Sequence, residues 1–100
     1  MDKIRELVGD EALWMQLAEE ASELSQAACK VARHLHGTNP VANPDGLSNK
    51  DLLVSLMSDV IEEYMDVVNV CNHLDVPQHK EIIRFKNNRW IARVMEAHSE

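Results

Sequence analysis

An all-α fold is predicted by three features of this 100-residue chain. Apolar residues recur at spacings of three and four over three long segments, and no segment carries the period-two alternation of a strand. Four aromatics and three glycines are too few for an all-β domain built on many tight turns. The length is that of one small domain, 1–100, near the lower end of what a single core can hold together. The expected architecture is an antiparallel helical bundle with three main helices per chain, about 10–36, 50–74 and 78–98, completed by oligomerisation.

Residues 2–8 fit a short additional turn. The first long helix carries Leu13, Leu17, Ala21, Leu24, Ala28, Val31 and Leu35 as one stripe. Asp10 is placed to cap its start, and Gly37 to end it in the left-handed conformation. The loop 37–49 follows, with two Asn-Pro pairs, a Pro-Asp-Gly turn signal and no periodicity. Ser48, three residues before Asp51, marks the next helix start. The second long helix is apolar around much more than one stripe, from Leu52 and Leu53 to Cys71 and Leu74. So wide an apolar arc must be covered on several sides, which points to a partner subunit. Asp75-Val76-Pro77 breaks the pattern, with Pro77 suited to the first turn of the third helix.

Seventeen acids against ten bases give a net charge of −7. That balance excludes a general nucleic-acid-coating role, which needs a basic surface to displace counterions. It also sits badly with an anionic substrate unless a divalent cation stands between them. No basic stretch followed by an apolar run opens the chain, and no run approaches the ~18 apolar residues of a membrane span. Cys29 and Cys71 lack metal-type spacing and read as small buried thiols of a cytoplasmic protein.

The acids are grouped. Asp59, Glu62, Glu63 and Asp66 lie at i, i+3, i+4 and i+7, an arc of about 100° on one helix face. Glu63 projects with Leu52 and Val70, at the edge of the buried face. Glu19, Glu20 and Glu23 form a second cluster, with Glu20 flanked by Leu13, Leu24 and Val31. Glu20/Glu23 and Glu63/Asp66 share a spacing of three, so antiparallel packing of the two helices would bring four carboxylates together. Such a group repels itself unless a hard cation with oxygen ligands neutralises it. One acidic ridge alone is more often a solvated face than a metal site. Two ridges of matched spacing, with no base between Asp51 and His79, leave both readings open.

The bases gather elsewhere. From Lys80 to Arg93 there are five bases and one acid, whereas Asp45–Asp75 holds seven acids and one base. Two readings fit: charge complementarity between helices, or bases and metal together gripping a polyphosphate, with Asn87 and Asn88 as hydrogen-bond donors.

Glu19-Glu20-Ala21-Ser22-Glu23 followed by Glu63-Tyr64-Met65-Asp66 resembles the EExxE…ExxD pattern of the MazG-like nucleotide pyrophosphohydrolases, within the all-α NTP pyrophosphatase superfamily. Phe85-Lys86-Asn87-Asn88-Arg89-Trp90 is similar to the Lys/Asn/Arg element that follows in that group. The likeness covers about residues 11–93. It departs in the longer spacer at the 37–49 loop and in Ser22, where many relatives carry Gly.

The resemblance implies cleavage of a (d)NTP to the monophosphate and pyrophosphate by a cytoplasmic homodimer or homotetramer that removes non-standard or surplus nucleotides. It implies Mg²⁺, with Mn²⁺ as a substitute, on Glu20, Glu23, Glu63 and Asp66. Glu19 or Glu62 would orient or deprotonate the attacking water, and Lys86, Asn87 and Arg89 would contact phosphates. The rival class is a non-catalytic helical adaptor or a nucleotide-sensing module. His34 and His36 suit a helix C-terminus, and His73 and His79 straddle the helix break, within reach of a phosphate role. Trp14 and Trp90 read as core or interface anchors, and Tyr64 as packing.

Overall fold

The structure, a computed structural model, describes residues 2–37, 39–75 and 80–99. Four helices follow one another: α1 (Lys3–Val8), α2 (Asp10–His36), α3 (Asn49–His73) and α4 (Lys80–His98), with no strand among the described residues. The all-α expectation holds, and both long helices end within a residue of the expected limits. Residues 76–79, where Pro77 and His79 were assigned roles, lie outside the described residues. No helix among them is long and apolar enough to cross a membrane.

Local chemistry sets most boundaries. Gly37 ends α2 at φ 71°, a left-handed conformation open to glycine, and its N–H donates to the Arg33 carbonyl. Ser48 caps α3, its hydroxyl accepting from the Asp51 N–H at 3.1 Å. Asp10 does not cap α2. Gly9 holds that position, and the Asp10 carboxylate instead receives the Arg5 guanidinium in two bonds of 2.6 and 3.1 Å. The planar donor fork outcompetes an exposed backbone N–H for the carboxylate.

α2 and α3 pack antiparallel in a heptad register. Leu13 meets Val70 in the one clustered core, and Glu20 meets Glu63 seven residues along each helix. Ala27 and Leu56 line a common groove another seven residues on. His34 Nε2, as the protonated nitrogen, donates to the Asn49 carbonyl at 3.1 Å. Seven residues are two turns of helix, so each step returns to the same seam. Arg33 also ties the loop, donating to the carbonyls of Asn39 and Pro40, both at 3.2 Å.

At the opposite end α1 folds across the seam as a clasp. Asp2 accepts from the Arg5 N–H at 2.9 Å and pairs with His73 Nδ1 at 2.7 Å. Arg5 also donates to the Leu74 carbonyl at 3.2 Å. His73 Nδ1 is thereby taken up in the clasp.

The core is small: Leu13, Ala27, Leu56, Val70 and Leu74 are the buried hydrophobics. Several expected core residues lie outside it. Cys29 is exposed and Cys71 half-buried, both as free thiols. Trp14, Tyr64 and Trp90 are each more than half exposed. Trp14 and Tyr64 each follow a seam residue, Leu13 and Glu63, and so are turned about 100° from the α2–α3 contact. α4 packs along neither α2 nor α3, and every side chain from Ile82 to His98 is exposed. The radius of gyration is 17.8 Å, against about 13 Å for a closed domain of this length.

The clasp has a defined pH signature. The Asp2 carboxyl is held below the usual carboxylate range, first by the Arg5 N–H and then by His73. A depressed acid stabilises the fold above its unfolded pKa, and that contribution is lost as pH falls through the folded value. The urea midpoint of Asp2→Ala is therefore expected to lie below that of the parent at pH 6, with the gap closing as pH falls toward 2.

Candidate metal centre

The heptad register places two glutamates where a bundle would carry apolar residues. Leu13–Val70 and Ala27–Leu56 fill the layers on either side of Glu20–Glu63, and all four are buried. Glu20 and Glu63 are themselves half-buried. One carboxylate oxygen each of Glu20, Glu63 and Asp66 lies within 4.8 Å of the others. Gln16, one turn back on α2, donates to Glu20 Oε1 at 2.7 Å.

Two atoms are left without partners. Glu20 Oε2 and Glu63 Oε2 are buried and accept no hydrogen bond. A buried charged acceptor with nothing to accept from is costly, because it has lost water without replacement. Glu23 joins the same group. Its carboxyl is pushed up from the usual glutamate range, first through its hydrogen bond to Glu63 and the Glu63 charge, then by desolvation, with Asp66 adding to it.

The donor set is all oxygen, anionic and clustered, which matches a hard divalent ion such as Mg²⁺ or Mn²⁺ and not a thiolate- or imidazole-preferring metal. The two orphaned oxygens are the positions such an ion would satisfy. Of the four carboxylates expected there, Glu20, Glu63 and Asp66 are brought together, while Glu23 lines the groove beside Glu63.

The other expected site residues are not joined to them. Glu19 and Glu62 are exposed, and no hydrogen bond links either to the cluster among the described residues. Each lies next to a seam glutamate, so it is turned about 100° away. Lys86, Asn87 and Arg89 sit on α4, away from the α2–α3 seam, and Arg89 stacks over Phe85 of its own helix at 5.8 Å. The complementarity of basic and acidic helices is therefore not realised within one chain.

The structure adds one residue that periodicity did not single out, Lys30. A groove of about 170 Å³ beside the carboxylates is lined by Glu23, Lys30, Asp59 and Glu63, among others. Lys30 and Asp59 also border a second, larger groove that runs under the 41–47 loop past Arg33. The signal for Lys30 was present: it lies seven residues after Glu23, on the same flank of α2.

No protein-family model, curated protein or solved structure matches this chain.

Two outcomes are expected. For Glu23 the folded pKa is raised, so its contribution to stability is present below the usual glutamate range and is lost as pH rises through the folded value. Without divalent ions, the urea midpoint of the parent should fall relative to Glu23→Gln between pH 4 and 7. The double variant Glu20→Leu/Glu63→Leu restores an apolar heptad layer. It is expected to melt higher than the metal-free parent and to show no stabilisation by added Mg²⁺ in thermal unfolding.

Proposed function

We propose that this chain is a Mg²⁺-dependent nucleoside triphosphate pyrophosphohydrolase, cleaving a (d)NTP between its α- and β-phosphates to the monophosphate and pyrophosphate. The active unit is a cytoplasmic homo-oligomer, and its role is to clear non-standard or surplus nucleotides. The observation that carries the reading is the Glu20–Glu63–Asp66 cluster, with two buried oxygens unpartnered and Glu23 lining the groove beside it. The EExxE…ExxD resemblance supports the same four residues.

In this reading Glu20, Glu23, Glu63 and Asp66 hold Mg²⁺, or Mn²⁺ in its place. When bound, the ion supplies positive charge against the triphosphate oxygens. The chain's own residues do the rest. Glu19 or Glu62, exposed beside the seam, orients a water and accepts its proton as the oxygen adds to phosphorus. The broken phosphoanhydride bond leaves its electron pair on the departing phosphate oxygen. Lys86, Asn87 and Arg89 on α4 contact phosphates, and Lys30 is a further base at the groove itself. Little covalent chemistry is required. Placement and charge neutralisation provide the rate, as in other phosphoryl transfers.

Pyrophosphate release measured across a panel of (d)NTPs tests the proposal. Release is expected only with Mg²⁺ or Mn²⁺ present, and Glu63→Ala and Asp66→Ala should each lower it at least about 100-fold. Both variants should keep the metal-free fold, with a urea midpoint equal to or above the parent's. No pyrophosphate from any nucleotide would remove the catalytic reading. Unfolding of both variants would make the carboxylates structural.

A further inference from the structure

The groove beside the carboxylates does not stand alone. At about 170 Å³ it is smaller than the roughly 300 Å³ at which ligand pockets begin. Lys30, Leu56 and Asp59 line both it and the groove of about 430 Å³ under the 41–47 loop, so the two adjoin. A molecule held at the carboxylates therefore has a second compartment open to it. Along α3 the polar groups that lead there are Glu63, Asp59 and Ser55, at steps of four residues, about 6 Å each. Successive steps of that size suit a phosphate, a pentose and a base.

The loop is a fixed roof over this compartment. The Asn43 side-chain amide donates to the Leu47 carbonyl at 2.9 Å and accepts from the Leu47 N–H at 3.0 Å. Gly46, at φ 62°, turns the chain between them. Arg33 holds the roof's other end through the Asn39 and Pro40 carbonyls. With Asn43 and Arg33 engaged in this way, Lys30, Asp45, Ser55 and Asp59 are the polar side chains left to meet a ligand. Asp45 and Ser55 line the loop groove and not the carboxylate groove, so they stand at its far end.

Two properties of that far end decide what enters. Val41, Pro44, Leu47 and Leu52 supply apolar walls, and the Asp45 charge repels phosphate, so the uncharged part of a nucleotide is favoured there. A carboxylate only accepts hydrogen bonds. It pairs with the exocyclic amino group of adenine, cytosine or guanine, whereas thymine and uracil turn carbonyl oxygens toward it.

We propose that the groove under the 41–47 loop seats the sugar and base of the nucleotide, and that Asp45 with Ser55 selects bases carrying an exocyclic amino group. The proposal rests on the nucleotide reading given above. Asp59, one turn from Glu63, accepts from a sugar hydroxyl, and Lys30 at the junction donates to the nearest phosphate. Phosphates under the loop, on Lys30 and Arg33, are the competing arrangement. Asp45 and Asp59 oppose it.

The test is calorimetric titration of the full chain in Mg²⁺ with the α,β-methylene analogues of dATP, dCTP, dGTP and dTTP, and with inorganic triphosphate. The parent is expected to bind the three amino-bearing analogues at least about fivefold tighter than that of dTTP. Ser55 is exposed, so Ser55→Phe fills the groove from outside the core. It should weaken all four analogues at least about tenfold and leave inorganic triphosphate unchanged. Asp45→Asn, a loop change that adds a donor, should abolish the preference against the dTTP analogue. Equal weakening of inorganic triphosphate by Ser55→Phe would place phosphates under the loop and overturn the proposal. Unaltered analogue binding by Ser55→Phe, or a base preference that is absent in the parent or persists in Asp45→Asn, would overturn it too. Binding needs no turnover, which separates the two readings. Base-selective binding without pyrophosphate release from any dNTP upholds the groove and removes the hydrolysis, and release with base-blind binding does the reverse.

Discussion

The rest of the structure depends on one misfit layer. An antiparallel helix pair in heptad register repeats its seam contact every seven residues on each strand, and at one such repeat both residues are glutamate. Leu13 with Val70 and Ala27 with Leu56 show what belongs there. Glu20 with Glu63 replaces that apolar contact by two like charges and strands two oxygens out of reach of water. Neighbouring acids intensify the conflict: Asp66 enters the same cluster, and Glu23 keeps its proton to higher pH because of Glu63. A seam selected for stability alone would carry leucine there. Stability given up at a defined spot, where clustered oxygen donors stand, is what the proposed function would require of this layer.

Much of this was legible from periodicity, for a physical reason. Helical spacing fixes the direction of each side chain about its own axis, so the arcs holding Glu20/Glu23 and Glu63/Asp66 could be read one helix at a time. Gly37 and Ser48 were legible because their chemistry admits few other places. The axial register between helices was not, since it is set by contacts far apart in sequence. Only the structure shows that Glu20 stands level with Glu63, and that Lys30 and Asp59 border the same groove. The Asp10 error has the same origin. Capping statistics describe a carboxylate and its local N–H groups, and take no account of a guanidinium arriving from α1. Cys29, Trp14 and Tyr64 were assigned to packing by residue type, and the structure leaves all three exposed. Residue type fixes a preference for burial and says nothing of where a neighbouring helix stands to satisfy it.

The distribution of charge divides the molecule into surfaces with different duties. Acids crowd one side of α2–α3, bases collect on α4, and the remaining side of the pair is uncharged over four turns of helix. The net charge of −7 is therefore unevenly placed, concentrated on the side that carries Glu20, Glu63 and Asp66 and absent from the Ala28–Ile61 groove on the other. The same partition accounts for the small core. With five buried hydrophobics among the described residues, much of the apolar surface faces outward.

The two ends of the seam explain why the carboxylates stay together. Left to itself, a helix pair with a repelling layer would relax by sliding, since a shift of one residue turns each side chain about 100° and takes the glutamates off the seam. Sliding is blocked at both ends by polar contacts rather than by apolar packing. Asp2 and Arg5 hold His73 and the Leu74 carbonyl at the end of α3, while His34 holds the Asn49 carbonyl at its start. These bonds are directional and fail over a displacement of about 1 Å, whereas apolar contacts tolerate it. Fixing the ends sets the register, and the register forces Glu20 onto Glu63. The N-terminal turn and the loop ties thus act on the acidic centre from more than two helical turns away, holding in place donors that would otherwise separate.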